Sequence, residues 1–103
     1  MSFVPAVAAR AAFSVEKMQK LDCFTTPRLL VGLNCFEPGQ AQHVHAHGDA
    51  DKFYLVLSGR ASMVVGGETR DVGEGDLVCA PAGAPHGVLT AYQRTVMLVG
   101  ITR

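Results

Sequence analysis

Glycine and proline punctuate this chain at short intervals from residue 38 onward: Pro38-Gly39, Gly59, Gly66-Gly67, Gly73, Gly75, Pro81, Gly83, Pro85 and Gly87. Between these breakers lie short runs rich in Val, Leu, Phe and Tyr. Many short apolar runs separated by turn signals specify a sandwich or barrel of antiparallel strands. From Leu29 onward no window keeps a helical period long enough for a typical helix. Strands are expected over 28–37, 42–47, 52–58, 60–66, 68–72, 76–80, 86–91 and 94–102. Gly66-Gly67 suits a two-residue hairpin turn, and Pro38-Gly39 suits a turn after the first long strand. The segment 16–24 reads as a helical turn or two ahead of Pro27.

The chain has 103 residues, which makes one domain with a modest core the default. Residues 1–103 are read as that domain, with 1–12 as a flexible or swapped N-terminal arm. The formal net charge is zero, so no electrostatic hold on nucleic acid or anionic lipid is indicated. No apolar run approaches the roughly 18 residues that span a bilayer. The opening residues resemble a signal peptide only faintly. No basic residue precedes their apolar part, and Pro5 and Arg10 bound a run too short for its core. Cytoplasmic residence follows as a default. Cys23, Cys35 and Cys79 are odd in number and show no C-x-x-C spacing, which argues against a disulfide framework and excludes a zinc ribbon. They are expected to act as small buried hydrophobes, Cys35 and Cys79 especially, since both lie in apolar runs.

The four histidines carry the chemistry. His43, His45 and His47 alternate along one strand-like stretch, and strand side chains alternate faces, so all three are expected to point the same way. His86 follows the turn Pro81-Ala-Gly-Ala-Pro85. Neutral imidazoles are the commonest metal ligands, and a strand is a rigid platform for two of them at i and i+2. A third from a neighbouring strand would complete one face around an ion and leave the opposite face open to water or substrate. The competing reading is a solvated or pH-sensitive histidine face.

Gly39-x5-His45-x-His47-x4-Lys52-x6-Gly59 resembles the first cupin motif, and Gly75-x5-Pro81-x-Gly83-x2-His86-x3-Thr90 resembles the second. The two motifs and the short stretch between them cover residues 39–90. The resemblance implies an all-β double-stranded β-helix, a cupin or jelly-roll barrel. It also implies a homodimer and one divalent metal ion inside each barrel, held by His45, His47 and His86. The ion would be Fe, Mn, Ni or Zn.

The chain departs from the pattern twice. Lys52 stands where the family usually has a metal-binding Glu, and Thr90 replaces an Asn. A protonated lysine cannot ligate and repels a nearby cation. The alternatives are a site of three histidines only, one that recruits Asp51, or one that draws on His43 or Asp49. Strand parity leaves this open. If Lys52 faces inward, Tyr54 and Val56 go with it; if Asp51 does, Phe53 and Leu55 follow. An inward Lys52 could pair with a substrate carboxylate or act as an acid, and Tyr54 could donate a hydrogen bond into the cavity. Two functions follow from the resemblance. One is a metal-dependent enzyme, dioxygenase-like or isomerase-like, acting on a small organic molecule, anions included. The other is a non-catalytic module that binds or senses a small ligand.

Overall fold

The alternating runs become nine antiparallel strands in the computed structural model, which describes residues 2–46 and 48–103. They are β1 (Gln19–Thr25), β2 (Leu29–Phe36), β3 (Gln42–His45), β4 (Lys52–Ser58), β5 (Arg60–Val65), β6 (Glu68–Gly73), β7 (Leu77–Ala80), β8 (His86–Ala91) and β9 (Thr95–Thr102). A five-stranded sheet runs β1-β2-β9-β4-β7 and a four-stranded sheet runs β3-β8-β5-β6. The β5–β6 hairpin closes between Val65 and Glu68, with Gly66 at φ +60°, as the Gly-Gly pair requires. The expected strands from 28 to 102 all form, within a residue or two at their ends.

The expectation for 16–24 fails. This stretch is not helical but supplies β1, the edge strand paired with β2. Its sequence alternates: Leu21 and Cys23 pack on one face, while Lys20 and Asp22 are exposed on the other. An open sheet edge and a second apolar cluster outweigh the weak helical signal.

Two cores sandwich the five-stranded sheet. Between the sheets lie Phe36, Tyr54, Val56, Met63, Val88 and Met97. On the outer face, Leu33, Cys35 and Val96 form a second cluster, against which Val7, Ala11 and Phe13 pack from the N-terminal segment. That segment makes one 3-10 turn, Val7–Arg10. The Arg94 guanidinium covers the Phe13 ring at 4.4 Å and pairs with Glu37 at 2.8 Å. Each large side chain so buried contributes roughly 1.5–3 kcal/mol.

The cysteines divide: Cys35 is buried, Cys23 half-buried and Cys79 exposed, all three free. Burial raises the Cys35 thiol pKa. Cys79 departs from the expected burial because it lies opposite Phe53 on the outer face of β7, a short edge strand. Among the described residues no helix is long and apolar enough to cross a membrane.

Candidate metal and ligand site

His45 and His86 face each other as a register pair of β3 and β8, in the four-stranded sheet. Their ring centroids are 4.5 Å apart at an interplanar angle of 56°. His86 is buried and His45 half-buried. Each ring is anchored through Nδ1: His45 to the His43 carbonyl at 2.8 Å, His86 to the Ala84 carbonyl at 2.9 Å. A carbonyl only accepts, so each Nδ1 donates its proton there. In the neutral ring, Nε2 then carries the lone pair, which is the tautomer a metal ligand needs. The turn before β8 therefore both returns the chain and sets the His86 tautomer.

A β-bulge interrupts β3 between Gln42 and His45. The extra residue breaks the strict alternation expected of the histidines. Gln42 and His45 are buried and half-buried respectively, while His43 and Val44 are exposed. His43 serves the site through its backbone carbonyl. Gly87 makes this close approach feasible, because a Cβ there would lie 2.8 Å from the Gln42 carbonyl oxygen. His47 lies outside the described residues. Among the described residues no three His, Cys, Asp or Glu side chains are grouped to share an ion.

The parity of β4 is resolved: Lys52, Tyr54 and Val56 are buried, while Phe53 is exposed. The Lys52 ammonium sits 4.7 Å from the centroid of the Tyr54 ring. No carboxylate among the described residues pairs with it. Burial, with a further contribution from the charge of Lys20, lowers the Lys52 pKa to about 8. The Tyr54 hydroxyl donates to Gln42 Oε1 at 2.9 Å, and burial raises its pKa well above the usual phenol value. Its ring stands edge-on to His86 at 6.3 Å.

Asp51 is exposed and occupied elsewhere. Its Oδ1 accepts the Ala82 N–H at 2.8 Å, and its own N–H donates to Thr102 Oγ1 at 2.9 Å. It ties the start of β4 to the turn before His86 and to the end of β9.

A cleft of about 330 Å³ opens beside His45. Its polar lining is Lys20, Asp22, Asn34, His45 and Lys52, with Leu30, Val99 and Ile101 as apolar walls. Apart from His45, these side chains come from the five-stranded sheet. A second cleft, of about 620 Å³, meets the first at Lys20 and His45 and also exposes Gln42. Two buried amide donors here, Asn34 Nδ2 and Gln42 Nε2, have no hydrogen-bond partner among the described residues. Such a donor costs roughly 1–3 kcal/mol when left unmet. Sequence reasoning missed Asn34, although a lone amide inside the apolar run Leu29–Phe36 is a visible signal. A further cleft of about 430 Å³ near β6 and β7 is lined by Glu68, Arg70, Asp71 and Asp76 and contains no histidine.

Residues 32–102 match the family model for the cupin domain. The chain belongs to the cupin family. This cupin superposes on a crystal structure from Thermus thermophilus with a TM-score of 0.91 and 37% identity, covering 96% of this chain and 95% of that one. An RmlC-like cupin from Desulfovibrio desulfuricans has the same fold, with a TM-score of 0.88 at 22% identity over 99% of this chain and 97% of its own. An uncharacterized protein of Streptomyces coelicolor is 41% identical over 56 residues, 54% of this chain. The cupin spans about half, 52%, of that relative's length. The double-stranded β-helix expected from the two motifs is the fold observed.

Proposed function

We propose that this cupin holds one divalent metal ion, Fe, Mn, Ni or Zn, through His45, His47 and His86, and is a metal-dependent enzyme acting on a small organic molecule at the barrel mouth. The observation that carries this reading is the paired anchoring of His45 and His86. Two neighbouring imidazoles, their ring centroids 4.5 Å apart, are each held by Nδ1 on a backbone carbonyl, which leaves Nε2 as the ring atom that would ligate. The donor set suits a borderline divalent ion. Bound there, the ion supplies Lewis-acid or oxygen chemistry of the oxygenase or isomerase kind. The protein's own residues do the rest. The turn at Ala84 fixes the His86 ring, and Asp51 holds that turn through Ala82. Tyr54 packs beside His86 with its hydroxyl committed to Gln42, a positioning role. Lys52 brings a cationic donor to the cleft where the family pattern has a carboxylate.

Elemental analysis after purification without chelator tests the metal. About one divalent ion per chain is expected, and less than about 0.2 per chain overturns the reading. A second reading, a binding module without turnover, is favoured by Lys52, because an ammonium in place of a carboxylate departs from the commoner catalytic pattern. Oxygen consumption or isomerisation by the metal-loaded protein supports the enzyme. Ligand-induced thermal stabilisation with no turnover supports the module.

A further inference from the structure

The cleft beside His45 brings together a buried amide donor that the described residues do not satisfy and the ammonium of a largely buried lysine with no carboxylate partner among them. Asn34, 4% exposed in the middle of β2, has an Nδ2 without an acceptor among them. Lys52, 8% exposed at the start of β4, has the Tyr54 ring beneath its ammonium and no carboxylate among them. Both face the space between the sheets. Asn34 lies in register with Met97, Met97 with Val56, and Val56 shares the inward face of β4 with Lys52. Between their two rows comes the row of Gly32, Val99 and Tyr54, where glycine leaves space and Val99 gives an apolar wall.

Folding does not explain this pair. An unmet amide and a buried ammonium both disfavour the folded state, and apolar residues of similar size would pack in their place at no such cost. Places where a chain breaks its own packing rules are where function is expected. The charge has a sign as well: Lys20 stands in register with Asn34 and adds a second cation, while Asp22, the one carboxylate lining the cleft among the described residues, is exposed.

We infer that this cleft is the subsite for a small oxo- or hydroxycarboxylate, its carboxylate paired with Lys52 and a second oxygen accepting from Asn34, with a short hydrocarbon segment against Val99 and its neighbours. The inference rests on the reading of the His45 and His86 end of the barrel as the functional site. The chemistry of the two donors selects the class. An ammonium on a largely buried stem, without a carboxylate beside it among the described residues, favours an anion, and apolar walls with an amide beyond it suit a monoanion better than a phosphate dianion. The amide demands an oxygen acceptor that a simple fatty acid lacks. A cleft of about 330 Å³ admits a molecule of this size.

Binding of levulinate, alpha-ketovalerate, valerate and methyl propyl ketone is to be measured by titration calorimetry and thermal shift. Each is tested on the metal-loaded protein and on the same protein after chelation, with metal content determined on every sample. At least one of the two oxo acids is expected to bind about tenfold or more tightly than valerate, and the uncharged ketone weakest of all. Lys52→Met should weaken all three acids by about tenfold or more. Asn34→Ala should weaken only the oxo acids and bring them level with valerate. Asn34→Leu, which keeps the shape and removes the donor without adding charge, gives the same answer should the alanine variant not fold. The inference is overturned by the absence of acid binding in both metal states, by valerate equalling both oxo acids in the wild type, or by variants that bind as the wild type does. Acid binding by a chain that takes up no metal would leave the subsite standing and remove the metal centre. A loaded metal with no acid binding would do the reverse.

Discussion

His86 and His45 occupy one register pair across β8 and β3, and each gives its Nδ1 proton to a carbonyl two residues before it. Each ring is thus oriented by its own local turn of chain, so deleting one ring leaves the other in place. His45→Ala and His86→Ala are each expected to lower metal affinity by about a hundredfold or more with the fold retained, whereas His43→Ala, which keeps the carbonyl, changes it little. Calorimetric titration with Zn(II) and Mn(II), beside circular dichroism, checks this. Wild-type affinity in either His45→Ala or His86→Ala would sink the assignment.

Lys52 carries a pH signature. Its folded pKa of about 8 lies below the ordinary 10.5. Below about pH 8 the amine is protonated in both states, and the folded protein bears the burial penalty. Between about 8 and 10.5 the folded state loses the proton while the unfolded chain keeps it, so folded stability rises relative to a variant without the amine. Metal-free Lys52→Met is therefore expected to be more stable than wild type by roughly 1–3 kcal/mol at pH 7, with the gap narrowing above pH 8. Urea midpoints at pH 7, 8.5 and 9.5 measure it; a gap independent of pH contradicts the burial of a titrating amine.

Asp51 is expected to matter for stability more than for metal. Asp51→Ala removes the acceptor of the Ala82 N–H and should cost about 1 kcal/mol, which lowers Tm by roughly 4–8 °C in a domain of this size. Metal affinity should fall by less than about tenfold, smaller than the loss of a direct ligand. A larger loss would identify Asp51 as a ligand.

Gly87 is the position where the bulge of β3 crosses β8. Gly87→Ala brings a methyl group against the Gln42 carbonyl and 3.0 Å from Val44 Cα, both backbone atoms with little freedom to yield. A loss of roughly 1–3 kcal/mol in stability is expected, together with weaker metal binding as His45 is displaced. An alanine variant as stable as wild type would show that the bulge relaxes freely.

Much of the barrel was legible because period-two apolar runs and glycine turns coincide from residue 28 onward. The neighbourhood of His45 and His86 was legible too, from the histidine spacing and the proline-glycine turn that returns the chain to β3. Three things were not legible, for separate reasons. β1 carries a real but short alternation, and only the free edge of β2 and the cluster around Leu33 convert it into a strand. The parity of 51–58 was ambiguous because both faces of β4 are largely apolar, and burial of Lys52 is decided by the interior rather than by residue type. The β3 bulge leaves no mark in composition. It is seen only as the mismatch between the Gln42–Val88 and His45–His86 pairs.

The two anchored histidines belong to one sheet, while Lys20, Asn34, Lys52 and Ile101 belong to the other. On the proposed reading, metal binding and ligand recognition are written on separate sheets. Substitutions at positions 30, 34, 52 and 101 can change which molecule is accepted while the strand pair beneath the imidazoles stays as it is. On that reading, a lineage built on this scaffold can change the molecule it accepts by small steps that leave the histidine pair untouched.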